Sequence, residues 1–283
     1  MSQPIKSICI LRLSAIGDVC NAVSVVQSIQ RQHPQAQITW IIGKIEARLL
    51  EGLPGVRFVV FDKKLGKAAY SQLKQDLKND YFDVLLHMQV AFRANVASLC
   101  IKARKKIGFD WHTAKELHAL FMRHRIEPAP RSHVLDGFRQ FAKAIGVSEQ
   151  ELGQTPSWQL PIPEADELWA KEQLAATGNS RILIISPAAS KAERNWLPER
   201  YAALADYANA KGFAVILSGG PTELERTLSQ AILASAQHPI TDLTGKTNLK
   251  QLLALLKHAS LVLAPDTGPV SYTHLTLPTT PYV

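Results

Sequence analysis

Short apolar runs alternate with segments of helical period along nearly the whole chain, and this alternation constrains the fold more than any other feature. Ile8-Cys9-Ile10-Leu11-Arg12-Leu13 suits a buried strand, and Val19, Ala22, Val23, Val26 and Ile29 then recur at spacings of three and four. His33-Pro34 must end that helix, because the residue before a proline disfavours helical geometry. The pattern continues with strands at 38–43, 56–61 and 82–87 and helices near 46–51, 68–78 and 92–101. Strands and helices alternating at this pitch predict a parallel sheet covered on both faces.

Residues 147–163 change character: Gln154-Thr155-Pro156 and Leu160-Pro161-Ile162-Pro163 are stiff and lack a period, so 151–163 reads as a linker. Beyond it the alternation restarts, with helices expected at 165–176, 198–211, 222–234 and 249–258 and strands at 182–186, 214–217 and 261–264. The expected architecture is α/β, with two Rossmann-like domains, 1–150 and 164–270, facing across a cleft. Such domains bind ligands outside the carboxyl ends of their strands, so the cleft is the natural place for a site. Residues 271–283 hold four threonines and two prolines and keep neither period. They read as a frayed natural tail or as a segment foreign to the protein; we expect the second, which leaves the second domain incomplete.

A chain of 283 residues with 46% hydrophobic and 20% charged residues is ordinary globular material, which excludes whole-chain disorder, collagen and coiled coil. Cys9, Cys20 and Cys100 lack metal-ligand spacing and cannot form a disulfide framework, which fits a reducing compartment. No apolar run reaches the roughly 18–20 residues that span a bilayer, and Met1–Lys6 leads straight into a strand without room for a signal peptide. A cytoplasmic location follows as an expectation. The net charge of +8 is unevenly spread: residues 1–163 hold 22 Lys and Arg against 13 Asp and Glu, and residues 164–283 hold 10 against 11. Excess positive charge on one half serves solubility or attracts a polyanion such as nucleic acid, anionic lipid or a phosphorylated substrate.

Three constellations could carry chemistry. No G-x-G-x-x-G follows a strand; Ser14-Ala15-Ile16-Gly17-Asp18 takes its place, with Gly17 expected to allow a tight turn and Asp18 to act as a helix cap or a base. Between a strand end and a helix start, Ser186, Ser190, Lys191 and Arg194 form either a solvated loop or donors for a diphosphate, with the positive end of the helix beginning at Pro198 behind them. Asp266, Thr267 and Gly268 close the next strand, as a simple turn or as contacts for sugar hydroxyls and phosphate.

Here a family resemblance becomes specific. Arg12-Leu13-Ser14-Ala15-Ile16-Gly17-Asp18-Val19 resembles the opening motif of glycosyltransferase family 9, the heptosyltransferases of lipopolysaccharide core synthesis. Arg194-Asn195-Trp196-Leu197-Pro198 resembles that family's basic-x-Trp-Pro segment. Ser218-Gly219-Gly220-Pro221 with Glu223 resembles its nucleotide-side turn, and Pro265-Asp266-Thr267-Gly268-Pro269 its late Asp-Thr-Gly motif. The resemblance implies a GT-B architecture, an inverting transfer without a metal or other cofactor, ADP-heptose as donor and the inner core on Kdo-lipid A as acceptor. It implies Asp18 as base, Arg194 on the diphosphate in place of the family's frequent Lys, and Gly219, Gly220, Glu223, Asp266, Thr267 and Gly268 on the donor.

Residues 93–131 carry nine basic residues against three acidic, including Arg93, Arg104, Lys105 and Lys106. Together with Ser14 and Gly17 they are expected to bind the polyanionic acceptor and to bring the chain to the inner face of the cytoplasmic membrane. Two alternatives stand beside this reading: a relative using another nucleotide sugar, and a basic nucleic-acid-binding protein. Against the second, no helix-turn-helix, RNP or zinc signature is present, so nucleic acid is not an expected partner.

Overall fold

The computed structural model describes residues 4–114, 118–130, 133–156, 158–189 and 192–265. The chain divides into two compact units, Met1–Gln159 and Leu160–Val283. In the first, β1 (Ser7–Leu11), α1 (Ile16–Gln32), β2 (Gln37–Gly43), α2 (Lys44–Leu50), β3 (Val56–Phe61), α3 (Ala68–Asp76), β4 (Phe82–His87) and α4 (Phe92–Leu99) follow the predicted alternation. They continue into β5 (Ala103–Gly108), α5 (His118–Phe121), β6 (His124–Arg125), α6 (Val134–Lys143) and α7 (Glu149–Leu152). The six strands form one parallel sheet in the order β3-β2-β1-β4-β5-β6.

β1 is an unbroken apolar run because it is central, with strands on both sides and side chains buried on both faces. Cys9, Leu11, Ile41, Val59 and Leu85 pack on one face against Leu73, Ala94, Ala97 and Ile101. Ile8, Ile10, Trp40, Val84 and Leu86 point to the other face and are equally buried. Burial pushes the Cys9 thiol pKa strongly up and that of Cys20 to about 12, so both behave as small core residues.

The elements between 103 and 152 were not anticipated, β5 and α6 foremost among them. β5, Ala-Arg-Lys-Lys-Ile-Gly, buries only its last two residues fully and carries three cations, so it has no strand signature of its own. α6 buries Leu135, Phe138, Phe141 and Ala142 at helical spacing and packs against α1. α7 takes in residues 151 and 152, the first two of the expected linker. Its Ser148 caps the turn by accepting the Glu151 N–H, and Glu151 pairs with Arg31 of α1 at 2.7 Å.

The second unit contains α8 (Glu164–Ala175), β7 (Ile182–Ile185), α9 (Pro198–Ala210), β8 (Ala214–Leu217), α10 (Glu223–Ser235), β9 (Thr241–Asp242), α11 (Leu249–His258) and β10 (Leu261–Leu263). Its described strands form a parallel sheet in the order β10-β7-β8-β9. Pro198 occupies the first turn of α9, where its missing N–H costs nothing. α10 and α11 open with capping boxes, Thr222 with Glu225 and Asn248 with Gln251. Leu183, Ile185, Val215 and Leu217 pack against Tyr201, Ala202, Ala205 and Ile232. Residues 271–283 lie outside the described residues.

Candidate active site

Strand order reverses between β1 and β4, and in a doubly wound sheet the crevice at the carboxyl ends of those two strands is the ligand site. The loop 12–15 after β1 and the loop 88–91 after β4 meet there. Met88 N–H donates to Leu11 O at 3.0 Å, and Gln89 accepts the Leu13 N–H at 2.7 Å while its amide donates to Ser14 Oγ at 3.3 Å. Trp40 of β2 donates to Arg12 O at 3.1 Å.

Asp18 stands in the first turn of α1. The N-cap position belongs to Ala15, and no side chain caps this helix. Asp18 is instead ion-paired through Oδ2 with the Arg12 guanidinium. Gly17 falls inside the first helical turn, so the turn before it is made by 12–15 rather than by a glycine. Glu46, buried in α2 beside Gly43, has its carboxyl pushed up by burial; Arg12 and Lys63 are among the charges that oppose this. Arg93 is exposed at the start of α4, on the same carboxyl edge.

Behind β4 lies a polar cluster that the sequence did not reveal. His118 Nδ1 bonds Asn95 Oδ1 at 2.8 Å, its Nε2 accepts the Phe109 N–H at 3.1 Å, and its ring packs edge-on against buried His87 at 4.5 Å. With one ring nitrogen donating and the other accepting, His118 is neutral, and burial pushes its pKa down to about 4. Burial also holds His87 well below the usual histidine range, with His118 adding to the effect.

The structure does not bring Arg104, Lys105 and Lys106 to this edge. The pairings Ile8↔Val84 and Val84↔Lys105 set Lys105 level with Ile8, three residues short of the end of β1 and thus roughly 10 Å away along the strands. Arg104 sits one residue further from the edge. Both line a 280 Å³ cavity at the amino-terminal edge with Ile5, Asp83, Val84, His124, Ala144 and Ile145. Arg104 faces Asp83 at 3.6 Å, and the backbone N–H of Lys6 and then that of Ser7 hold the Asp83 carboxyl below its ordinary range. Lys106 donates to Ser98 O at 2.8 Å on the opposite face. Positive charge clustered in sequence is therefore divided between Arg93 at the carboxyl edge, Arg104 and Lys105 at the amino-terminal cavity, and Lys106 beneath α4.

In the second unit the order again reverses beside the first strand, between β7 and β10. The segment 186–197 leaves the carboxyl end of β7. Ser186 and Ser218, at the ends of β7 and β8, share a buried hydrogen bond of 2.5 Å. Asn195 Oδ1 accepts the Ala189 N–H at 2.6 Å, Tyr201 donates to Pro187 O at 3.1 Å, and Trp196 packs edge-on to Tyr201 at 5.5 Å. These contacts pin the segment at both ends, and Arg194 is exposed in its short 3-10 turn, residues Ala192–Arg194.

The Gly219-Gly220 turn follows β8. The Gly220 N–H donates to Glu225 at 2.7 Å, so that amide is engaged by the capping residue of α10. The acidic side chain that organises this turn is thus Glu225, two positions beyond Glu223. A Cβ on Gly220 would lie 2.8 Å from Glu225 Oε2, so the carboxylate would have to shift. Ser190, Lys191, Asp266, Thr267 and Gly268 lie outside the described residues.

Solved structures share this architecture. The glycosyltransferase family 9 protein of Veillonella parvula matches 96% of this chain and 78% of its own at 22% identity, with a TM-score of 0.83. The Escherichia coli heptosyltransferase WaaC with ADP-2-deoxy-2-fluoro heptose matches 98% and 90% at 19% identity, with a TM-score of 0.78. The fold is that of the GT-B glycosyltransferases, built from two Rossmann-like units.

The sequence narrows the class. The model of glycosyltransferase family 9 (heptosyltransferase) matches residues 70–277. The lipopolysaccharide core heptosyltransferase OpsX of Haemophilus influenzae is 45% identical over 264 residues, covering 93% of this chain and 74% of that protein. This chain belongs to glycosyltransferase family 9 and is a glycosyltransferase. Among the described residues no helix is long and apolar enough to cross a membrane.

Proposed function

We propose that the protein is a lipopolysaccharide core heptosyltransferase that moves heptose from ADP-heptose to the phosphorylated inner core on Kdo-lipid A, by an inverting, metal-independent displacement. The observation that carries this reading is a carboxylate, Asp18, held by Arg12 at the switch point of the first sheet rather than spent on a helix cap. The name of the H. influenzae relative supports the acceptor, and the fluorinated ADP-heptose in the E. coli structure supports the donor.

Asp18 takes the proton of the acceptor hydroxyl as its oxygen attacks the anomeric carbon of the heptose. The bond from that carbon to the diphosphate oxygen breaks, and its electron pair leaves with ADP. Arg194 and Lys191 neutralise the charge that grows on the diphosphate, the positive end of α9 adds to them, and Thr267 and Gly268 bind beside it. Asp266 contacts the donor sugar. Ser186, Ser190, Gly219 and the α10 cap, through Glu225 in addition to Glu223, complete the nucleotide side. Ser14, Gly17 and Arg93 bind the acceptor. In this reading the first unit serves the acceptor and the second the donor, in the cytoplasm at the inner face of the membrane.

The test is transfer itself. Incubation with ADP-heptose and Kdo-lipid A should yield the heptosylated acceptor and ADP, unchanged by a chelator. Transfer from another nucleotide sugar only, or strict dependence on a divalent ion, would contradict the reading.

A further inference from the structure

Arg12 is a buried cation at the carboxyl edge of the first sheet with partners on several elements. Its side chain is 11% exposed. Nη1 donates to Met88 O at 2.6 Å, Nη2 pairs with Asp18 Oδ2, and the guanidinium carbon lies 5.3 Å from the centre of the Phe138 ring. It thus ties together the loop after β1, the loop after β4, and α6. Burial lowers its pKa, and Asp18 first and Glu46 after it are the carboxylates that oppose this. Burying an ion pair is a poor way to gain stability, since the desolvation penalty can exceed the attraction, so a pair kept at a ligand-binding edge calls for another account.

We propose that Arg12 is a positioning residue for Asp18, fixing the carboxylate through Oδ2 so that Oδ1 is presented to the acceptor hydroxyl. Oδ2 is engaged by Arg12, whereas Oδ1 makes no hydrogen bond among the described residues. The side-chain geometry supports directional control: a guanidinium is planar and always charged, and its fork serves Met88 O and Asp18 at once. A lysine has one nitrogen at the end of a flexible stem and cannot hold both partners in fixed directions. Phe138 and the Met88 carbonyl keep the guanidinium from following Asp18 into solvent. The inference rests on the reading of Asp18 as the base, and Arg12 acts only through it.

The experiment is a cycle of Arg12→Met, Asp18→Asn and the double variant, with kcat and both KM values measured for heptose transfer and thermal unfolding recorded alongside. A misdirected base costs about 10²-fold, so Arg12→Met should lower kcat by about that factor and leave both KM values within about threefold. In the Asp18→Asn background the same substitution should cost no more than about twofold, because residues acting through one another are not additive. Arg12→Lys should recover part of the lost kcat, and it completes the same cycle if Arg12→Met does not fold. Independent, multiplying effects would overturn the proposal, as would a raised acceptor KM with kcat intact, which would make Arg12 a substrate contact. An active Asp18→Asn enzyme would overturn both this proposal and the reading it rests on. Loss of turnover in Asp18→Asn with full activity in Arg12→Met would overturn this proposal alone.

Discussion

The two sheets share a strand order and differ in the loop at its switch point. Read from β3 and from β9, their first four strands run in the same parallel order, and each places a loop at the point where that order reverses. In the first unit the loop is four residues long, 12–15, and is clamped by Gln89 and by the Arg12–Asp18 pair. In the second it is twelve residues long, 186–197, and is pinned by neutral contacts from Asn195 and Tyr201 while Arg194 stays exposed. A short loop with a buried partner fixes one carboxylate in one direction, which is what proton abstraction requires. A longer loop carries hydroxyls and cations that can serve the several oxygens of a leaving diphosphate. Under the proposed function, one strand order supplies a base in one unit and a charge-stabilising surface in the other, through switch-point loops of different length.

The comparison breaks most decisively at Asp18. Asp18→Asn keeps the size and removes the base, so turnover should fall by about 10²–10⁴-fold with ADP affinity barely changed, while thermal stability drops because buried Arg12 loses its charged partner. Near-full turnover would reduce the Arg12 contact to a structural one. The next effect separates the units by acid sensitivity. His118 has a pKa of about 4 in the folded protein against 6.5 when unfolded, so the unfolded chain binds more protons between those values. Stability of the first unit is therefore fully present above about pH 6.5 and is lost progressively as pH falls toward 4, by up to about 3 kcal/mol.

In the second unit, burial opposes but the hydrogen bond from His258 and the charge of Lys257 prevail, and the Glu167 pKa falls below 4.5. Its contribution is lost only below that pH. Calorimetry from pH 7 to 4 should show the first unit melting earlier, and His118→Gln should flatten that trend. A smaller effect is expected at Arg194, where removing one charge-assisted contact costs about 1.5–3 kcal/mol of donor binding. Titration of Arg194→Ala with ADP-heptose reads this directly. Smallest of all, neutralising Arg104 and Lys105 together should leave acceptor KM within about twofold, since they stand at the far edge of the sheet, whereas Arg93→Ala should raise it. A large rise from the pair would mean that the amino-terminal edge engages the acceptor.

The layout was legible wherever apolar period and strand burial coincide. β1, α1, β2 and β4 are written in runs such as Ile8–Leu11 and in the spacing Val19-Val23-Val26, and Pro198 marks the start of α9 within its first turn. β5 was not legible, because only Ile107 and Gly108 are fully buried and its cations hide the strand. Without that strand there is no direction, and without direction the basic cluster of Arg104 and Lys105 cannot be assigned to one end of the sheet.

At the site, the likeness of the 12–19 segment to a family motif pointed to Asp18, but nothing in the spacing showed that Arg12, six residues earlier, is its partner. The spacing of Phe138 and Phe141 was a usable signal for α6, which shields that pair. Glu223 and Glu225 could not be told apart, because which of the two caps Gly220 depends on where α10 begins.

The central claim is that the first unit supplies the base and the second holds the donor, and calorimetric titration of ADP-heptose into the Asp18→Asn and Arg194→Ala proteins tests it most directly. The account predicts that Asp18→Asn binds the donor with wild-type affinity yet transfers almost nothing, while Arg194→Ala binds it about 10- to 100-fold more weakly. Weakened donor binding in Asp18→Asn, together with unchanged binding in Arg194→Ala, would contradict it.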